Sequence, residues 1–193
     1  MSPLPRVYLA GPDVFLPQPE LWAAGKKDIC TRHGLIGVSP LDALADEPAA
    51  WASLPVWRRI AARNEAHIRG CQAVIANLTP FRGPGADAGT VYELGFARAL
   101  GLLLCGYATT SALLVPRTLA ALGLAAEPGA DGFWRDGDGL QVEQFGLFDN
   151  LMIEGGITES GGVLITGDAG RWSDLTLFER CVAATAERLG ARR

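Results

Sequence analysis

Short apolar runs that alternate with segments of helical periodicity predict an α/β fold. This alternation requires a mainly parallel sheet whose right-handed crossovers place helices on both faces, a three-layer sandwich of the flavodoxin-like (Rossmann-like) class. About five apolar runs are present, and the order 2-1-3-4-5 is a common one for a doubly wound sheet of that size. With 193 residues, 49% of them hydrophobic, the chain suits one compact domain over residues 1–193.

The first half of the chain predicts three strands and two helices. In order, these are a strand at 6–10, a helix at 19–33, a strand at 35–39, a helix at 54–70 and a strand at 73–78. Gly11 and Gly34 follow the first strand and the first helix, because glycine adopts the turn conformations that end such elements. Residues 40–53 show no clear period, which indicates a long loop over a site or a subunit contact.

Helix 54–70 carries one polar residue within an apolar series. Val56, Ile60 and Ile68 belong to a series spaced by four residues, which lies on one side of a helix, and Asn64 fills the remaining position. We expect this side of the helix to face the core. Asn64 is then either a plain buried hydrogen-bonding amide or a residue of a site.

The second half predicts two more strands, at 102–107 and 163–166, and a closing helix at 174–189. A turn and short helix are expected at 145–153, and residues 111–141 are interpreted as an irregular excursion. The inward residues of the closing helix are predicted to be Leu175, Phe178, Val182 and Leu189.

Composition favours a small-molecule partner. The net charge is −4 and charged residues make up 20% of the chain with both signs interspersed, so the basic stripe of a nucleic-acid-binding protein is missing. The four cysteines form no C-x-x-C pair and only two histidines are present, which predicts core thiols and neither a metal nor another cofactor. The sequence contains no run of 18 apolar residues and no secretory signal, so we expect no membrane contact and a cytoplasmic location.

Two carboxylates stand six positions apart where a glycine-rich loop enters an apolar helix. Asp87 lies in the loop and Glu93 in the first helical turn, so a reversal at Gly89 brings both to one pocket. Paired carboxylates are the usual tools of glycosyl transfer. The alternative is a capping box, in which Thr90 caps the helix and Glu93 completes the motif. Because residues 91–100 carry only two charged groups, we expect a buried helix, which favours the site.

The predicted topology brings several polar residues together. In the order 2-1-3-4-5 the switch point lies between the first and third strands, and ligands bind in the crevice beyond the carboxyl ends of the strands. The residues expected there are Tyr8, Asp13, Asn77, Asp87 and Glu93. Tyr8 and Asn77 also have a plain structural interpretation as buried groups with satisfied hydrogen bonds.

The chain resembles the nucleoside 2-deoxyribosyltransferases from residue 6 to about residue 153. The matching motifs are Val7-Tyr8-Leu9-Ala10-Gly11-Pro12, Pro40-Leu41-Asp42, Asn64 four residues before Ile68, Asp87-x-Gly89-x-x-x-Glu93-Leu94-Gly95, and Asp149-Asn150. The motif that begins at Asp87 is fairly specific where it follows an apolar strand and opens a helix. Each of the other motifs is weak by itself.

The resemblance implies transfer of 2-deoxyribose between purine or pyrimidine bases by a homo-oligomer with shared sites. Glu93 would be the nucleophile, Tyr8 would hold Glu93, and Asp87 would serve the leaving and incoming base. Asn150 would reach the sugar in a neighbouring subunit. The remaining substrate-binding residues would be Gly11, Asp13, Asp42, Asn64, Asn77, Gly89 and Asp149. Some relatives carry an aspartate at the position of Asn64, and a neutral amide cannot act as a base.

The same chemistry follows from the residue types. A carboxylate below the sugar stabilises an oxocarbenium-like transition state and then bonds to C1′, as Glu93 would. A second carboxyl protonates the leaving base, as Asp87 would. Related enzymes that hydrolyse 2-deoxynucleoside 5′-monophosphates are one alternative. A nucleotide-binding sensor without catalysis is another, although a sensor has no need of an acid aimed at the sugar.

Overall fold

The computed structural model describes residues 3–124, 128–168 and 172–191. Its centre is a parallel five-stranded sheet in the order β2-β1-β3-β4-β5, which confirms the predicted fold class. The strands are β1 Arg6–Ala10, β2 Ile36–Val38, β3 Ala73–Asn77, β4 Leu103–Ala108 and β5 Leu164–Thr166. The helices are α1 Pro19–Arg32, α2 Val56–Arg69, α3 Ala88–Ala99, α4 Leu114–Leu122, α5 Leu151–Glu159 and α6 Thr176–Arg188. Short 3-10 helices cover Pro12–Phe15 and Ala49–Ser53.

The sheet separates two apolar cores. Successive side chains of a strand point to opposite faces, so Val7 and Leu9 pack with α1 and α6 while Tyr8 packs with α3 and α5. In register, Ala10 of β1 pairs with Ala76 of β3, so both strands end at one level. The loops that leave β1 and β3 therefore start side by side, on the edge where the topology predicts a site.

The predicted apolar side of α2 is only partly correct. Ile68 is fully buried, but Val56 and Ile60 are 63% and 49% exposed. The carboxyl-terminal part of α2 reaches the core and its first turns extend beyond it. Periodicity identifies the side of a helix but not the length over which a neighbour covers it.

The expectation of a wholly buried α3 is wrong for the single chain. Leu94 and Ala97 face the sheet and are buried, whereas Tyr92 is 60% exposed and Leu100 is 39% exposed. α3 lies on the sheet and contacts α2 and α5, which leaves its outer side uncovered. A groove of about 480 Å³ between α3 and α5 is lined mainly by apolar side chains.

The region from residue 111 onward is more regular than predicted. It contains α4, and after it an antiparallel bridge pairs Arg135 with Gln141. The helix expected within 145–153 begins later, at Leu151, and runs to Glu159. In α6, Phe178 and Val182 are fully buried as predicted, and the four cysteines are buried and free. Among the described residues, no helix is long and apolar enough to cross a membrane.

Candidate active site

Two side chains from two elements meet at the carboxylate of Glu93 on α3. The Tyr8 hydroxyl, on β1, donates to Glu93 Oε1 at 2.6 Å, and Asn64 Nδ2, on α2, donates to the same oxygen at 3.2 Å. Tyr8 is fully buried in the core between the sheet and α3. Both donors address one oxygen, so the other oxygen lies outside these two hydrogen bonds.

Burial gives Glu93 an unusual acidity. It raises the pKa of the carboxyl from an ordinary 4.5 to about 7, and the nearby charge of Asp87 acts in the same direction. The hydrogen bonds from Tyr8 and Asn64 oppose this shift because they favour the ionised form. Burial and the charge of Glu93 also raise the pKa of Tyr8, so its hydroxyl remains a donor. Glu93 therefore exchanges its proton near neutral pH.

Asp87 is the residue that caps α3. Its Oδ2 accepts the backbone N–H of Thr90 at 2.9 Å and the Thr90 hydroxyl at 3.0 Å. The capping-box alternative is therefore wrong, since Thr90 donates to the cap and Glu93 points to Tyr8. A Cβ on Gly89 would lie 3.1 Å from Asp87 Oδ2, so a larger residue there would crowd the cap. With Asp87 as the cap, Glu93 lies in the second turn of α3 and not in the first turn as predicted.

A second polar group occupies the ends of β1 and β3. Asn77 Nδ2 lies 3.1 Å from both carboxylate oxygens of Asp13, and Lys26 Nζ lies 2.8 Å from Asp13 Oδ2. Lys26 is 4% exposed, with its ammonium about 5 Å from the rings of Tyr107 and Phe178. Lys26 was not among the predicted site residues, because a lysine within a helix is normally exposed. The predicted residues Asp13 and Asn77 thus come together, with a buried counter-ion.

Gly11 makes room for this second group. Its φ is +155°, and a Cβ there would lie 2.5 Å from Asp13 Oδ2 and 2.8 Å from Asn77 Cβ. Any larger residue would push the Asp13 carboxylate away from its partners. Gly11 therefore shapes the loop that leaves β1.

Asp42 lies in a turn at the start of the long loop. One oxygen pairs with Lys27 Nζ and the other accepts the backbone N–H of Ser39 at 2.9 Å. The Asp42 carbonyl oxygen lies 3.1 Å from His67 Nε2. His67 is buried, so this contact connects the Asp42 turn to α2.

Asp149 and Asn150 lie at the start of α5. Asp149 is 3% exposed and accepts the backbone N–H of Ala86, the residue before Asp87, at 3.1 Å. Asn150 Oδ1 caps α5 through the N–H of Met152 at 3.0 Å, and its Nδ2 donates to Glu143 at 2.7 Å. The contact of Asn150 with a neighbouring subunit stays a prediction.

The predicted residues thus fall into three sets. Tyr8, Asn64 and Glu93 are bonded together beside Asp87, while Asp13 and Asn77 form the neighbouring pair. Asp42, Asp149 and Asn150 hydrogen-bond the loops and helix ends around them. Within the described ranges, no three His, Cys, Asp or Glu residues are grouped so as to hold a metal ion.

Known proteins match this chain along most of its length. The sequence pattern of the nucleoside 2-deoxyribosyltransferase family matches residues 7–152. An uncharacterised protein of Schizosaccharomyces pombe is 36% identical over 171 residues, which cover 82% of this chain and 80% of that protein.

Solved structures show the same architecture. A 2-deoxyribosyltransferase from Leishmania mexicana is 28% identical, with a TM-score of 0.65 over 95% of this chain and 97% of that one. A conserved protein from Enterococcus faecalis shares the fold at 20% identity, with a TM-score of 0.55 over 93% and 97% of the two chains. The family match and the Leishmania structure support glycosyl transfer of the deoxyribosyltransferase type.

Proposed function

We propose that this chain, which belongs to the nucleoside 2-deoxyribosyltransferase family, transfers a 2-deoxyribosyl group between nucleobases through a covalent intermediate on Glu93. The observation that carries the proposal is the state of the Glu93 carboxylate. It is largely buried, two donors hold one of its oxygens, and its pKa is about 7. A purely structural acid at a helix start has no need of this environment.

In the first half-reaction the base leaves. The Glu93 oxygen outside the bonds to Tyr8 and Asn64 attacks C1′, the glycosidic C–N bond breaks, and its electron pair goes to the departing base. Asp87, in its protonated form, gives a proton to that base. The products are a deoxyribosyl ester of Glu93, a neutral base and the Asp87 carboxylate.

In the second half-reaction the sugar passes to an acceptor. A nitrogen of the incoming base attacks C1′, the ester bond breaks, and its electrons return to Glu93. Asp87 takes the proton that the incoming base loses, which restores both carboxyls. With water in place of the base, the same steps give slow hydrolysis.

The surrounding residues have supporting roles in this proposal. Tyr8 and Asn64 orient Glu93, and Gly89 leaves space for the Asp87 cap. The Asp13–Asn77 pair forms one side of the substrate crevice at the ends of β1 and β3. Gly11 leaves space there for the Asp13 carboxylate. The substrates are deoxynucleosides and free bases in nucleotide salvage. We also place the enzyme in the cytoplasm, which the four free thiols support.

We further propose a homo-oligomer in which Asn150 reaches a neighbouring sugar site. Exposed apolar side chains that line the α3–α5 groove support an assembly, among them Leu151 and Met152 at 39% and 74% exposure. Coexpression of inactive Glu93→Ala and inactive Asn150→Ala chains should restore activity, because some mixed sites combine intact copies of both residues. Folded hybrids that stay inactive would reject the shared site.

The direct test is incubation with 2′-deoxyinosine and adenine, followed by chromatography for 2′-deoxyadenosine. Quenched protein should carry the added mass of one deoxyribosyl group, located on Glu93 by peptide mapping. Hypoxanthine without deoxyadenosine would identify a hydrolase instead, and a parallel reaction with the 5′-monophosphate would show which substrate it prefers. Binding without any product would identify a sensor.

A further inference from the structure

We propose that Arg117 is a positioning residue for the proton donor Asp87, acting through Asp149 and the backbone of Ala86. The inference rests on the proposed function of Asp87. It also gives Asp149 a task within its own subunit, in place of a direct contact with substrate.

Arg117 is a buried cation on α4. Its side chain is 9% exposed, its Nη2 donates to the Phe148 carbonyl oxygen, and the same nitrogen lies 3.4 Å from Asp149 Oδ2. The guanidinium lies 4.3 Å from the centre of the Phe148 ring. Burial lowers the pKa of Arg117 and the charge of Asp149 opposes that shift. Arg117 is thus tied to the segment that precedes α5.

Asp149 connects this cation to the loop of the site. Its Oδ2, the oxygen nearest Arg117, also accepts the Ala86 N–H at 3.1 Å. Its Oδ1 accepts the N–H of Asn150 at 2.8 Å, and its own N–H donates to Glu154 Oε1 at 3.0 Å. These hydrogen bonds of Asp149 all lie within the protein, and one of them ends at Ala86, the residue before Asp87.

The loop before Asp87 needs such an anchor. Residues 83–85 are Gly-Pro-Gly, and the loop is closed by the Phe81 N–H bond to the Gly85 carbonyl oxygen at 3.0 Å. A chain with two glycines has many backbone conformations to lose on ordering. Separating a buried ion pair leaves each charge without its partner, so the Arg117–Asp149 pair disfavours arrangements that pull the two side chains apart. The pair therefore selects the loop conformation that presents Asp87.

The experiment separates proton donation from general damage to the fold. The first substrate is 2′-deoxyinosine, whose base must be protonated as it leaves. The second is 7-methyl-2′-deoxyguanosine, whose base already carries a positive charge and leaves without an added proton. Single-turnover release of the base is measured for both substrates with wild-type enzyme and with Arg117→Met. We expect a loss of about 30-fold with deoxyinosine and less than about 3-fold with the methylated nucleoside.

Two further variants complete the design. Arg117→Lys should recover part of the deoxyinosine rate, since it restores the charge but not the planar fork. Arg135→Met is the matched control, because Arg135 pairs with Asp131 at 2.7 Å on the exposed surface, and it should leave both rates unchanged.

The result that overturns the proposal is an equal loss with both substrates in a folded Arg117 variant, or no loss with either. If Arg117→Met fails to fold, the Arg117→Met/Asp149→Asn double variant removes both charges, and the same selective loss is expected from it. Failure of the proposed function is a separate outcome, in which wild-type enzyme releases neither base or Glu93→Gln keeps full activity.

Discussion

Two tyrosine–glutamate hydrogen bonds of equal length involve adjacent residues of α3, Tyr92 and Glu93. The Tyr8 hydroxyl donates to Glu93 at 2.6 Å, and the Tyr92 hydroxyl donates to Glu65 at 2.6 Å. Both bonds lie where α2 meets α3, since Asn64 and Glu65 of α2 hydrogen-bond to Glu93 and Tyr92 of α3. Tyr8 is fully buried, whereas Tyr92 is 60% exposed.

At Glu93, burial and not the hydrogen bond determines the direction in which the pKa moves. The bond from Tyr8 favours the ionised form of Glu93, yet its pKa rises to about 7 because desolvation is the larger effect. At the exposed pair, the bond to Glu65 raises the pKa of Tyr92, and water solvates both groups. A hydrogen bond of the same type and length therefore orients a candidate nucleophile at Glu93 and connects two helices at the surface at Glu65.

The largest expected effect comes from replacing the buried acid, Glu93, and the matched replacement of Glu65 is its control. Glu93→Gln should lower kcat/KM by about 10⁴-fold or more, because the nucleophile is lost. Glu65→Gln should change it by less than about 2-fold, since that side chain lies in the exposed pair. Steady-state kinetics on both folded variants checks this. Comparable losses from the two changes would erase the proposed difference between the pairs.

Asp87→Asn should reduce deoxyribosyl transfer from purine deoxynucleosides by about 10²-fold, because an amide cannot protonate the leaving base. The Asp87 charge raises the pKa of Glu93, so its removal should also move the acid limb of the kcat/KM profile to lower pH. The profile is measured from pH 5 to 9. Near-normal rates at every pH would remove Asp87 from the mechanism.

Tyr8→Phe should cost about 10-fold in kcat/KM at pH 7, because it removes the shorter of the two bonds that orient Glu93. That bond lowers the pKa of Glu93, so its loss should move the acid limb to higher pH, opposite to the shift from Asp87→Asn. At high pH the variant should recover part of its activity. An unmoved acid limb would show that Tyr8 does not act on Glu93 ionisation.

Glu93→Gln should also stabilise the protein at high pH. The folded pKa of about 7 exceeds the ordinary 4.5, so folded protein binds the extra proton between these values and its stability falls as pH rises through them. The variant should gain on the order of 2 kcal/mol over wild type at pH 8 and little at pH 4. Thermal unfolding at the two pH values measures this difference. An equal gain at both would argue against a raised pKa.

Tyr92→Phe should have the smallest effect, less than about 2-fold in kcat/KM and about 0.5 kcal/mol or less in stability. The substitution matches Tyr8→Phe in chemistry and in the length of the bond removed, but the bond lies on the exposed side of α3. It should leave the pH profile unchanged. A shift as large as that of Tyr8→Phe would mean that the α2–α3 contact, and not burial, tunes Glu93.

Local patterns in the sequence predicted the strands, the type of sheet and the acid pair. Apolar runs, glycine positions and helical spacing are local properties, so they predicted β1, β3 and the entry of Asp87 and Glu93 into one helix start. Alternation along β1 also makes Tyr8 face one side of the sheet and Val7 the other. The topology then brings Tyr8 and Glu93 to one edge.

Which groups are buried, and which partners they contact, depends on the tertiary structure. Lys26 and Arg117 gave no signal in the sequence, since each is a cation on a helix whose carboxylate lies 13 or 32 positions away. The same limit explains the exposed start of α2 and the identity of the α3 cap, because short polar residues at a helix start compete for the same N–H groups. Burial depends on the packing of distant segments, and the pKa of Glu93 follows from burial.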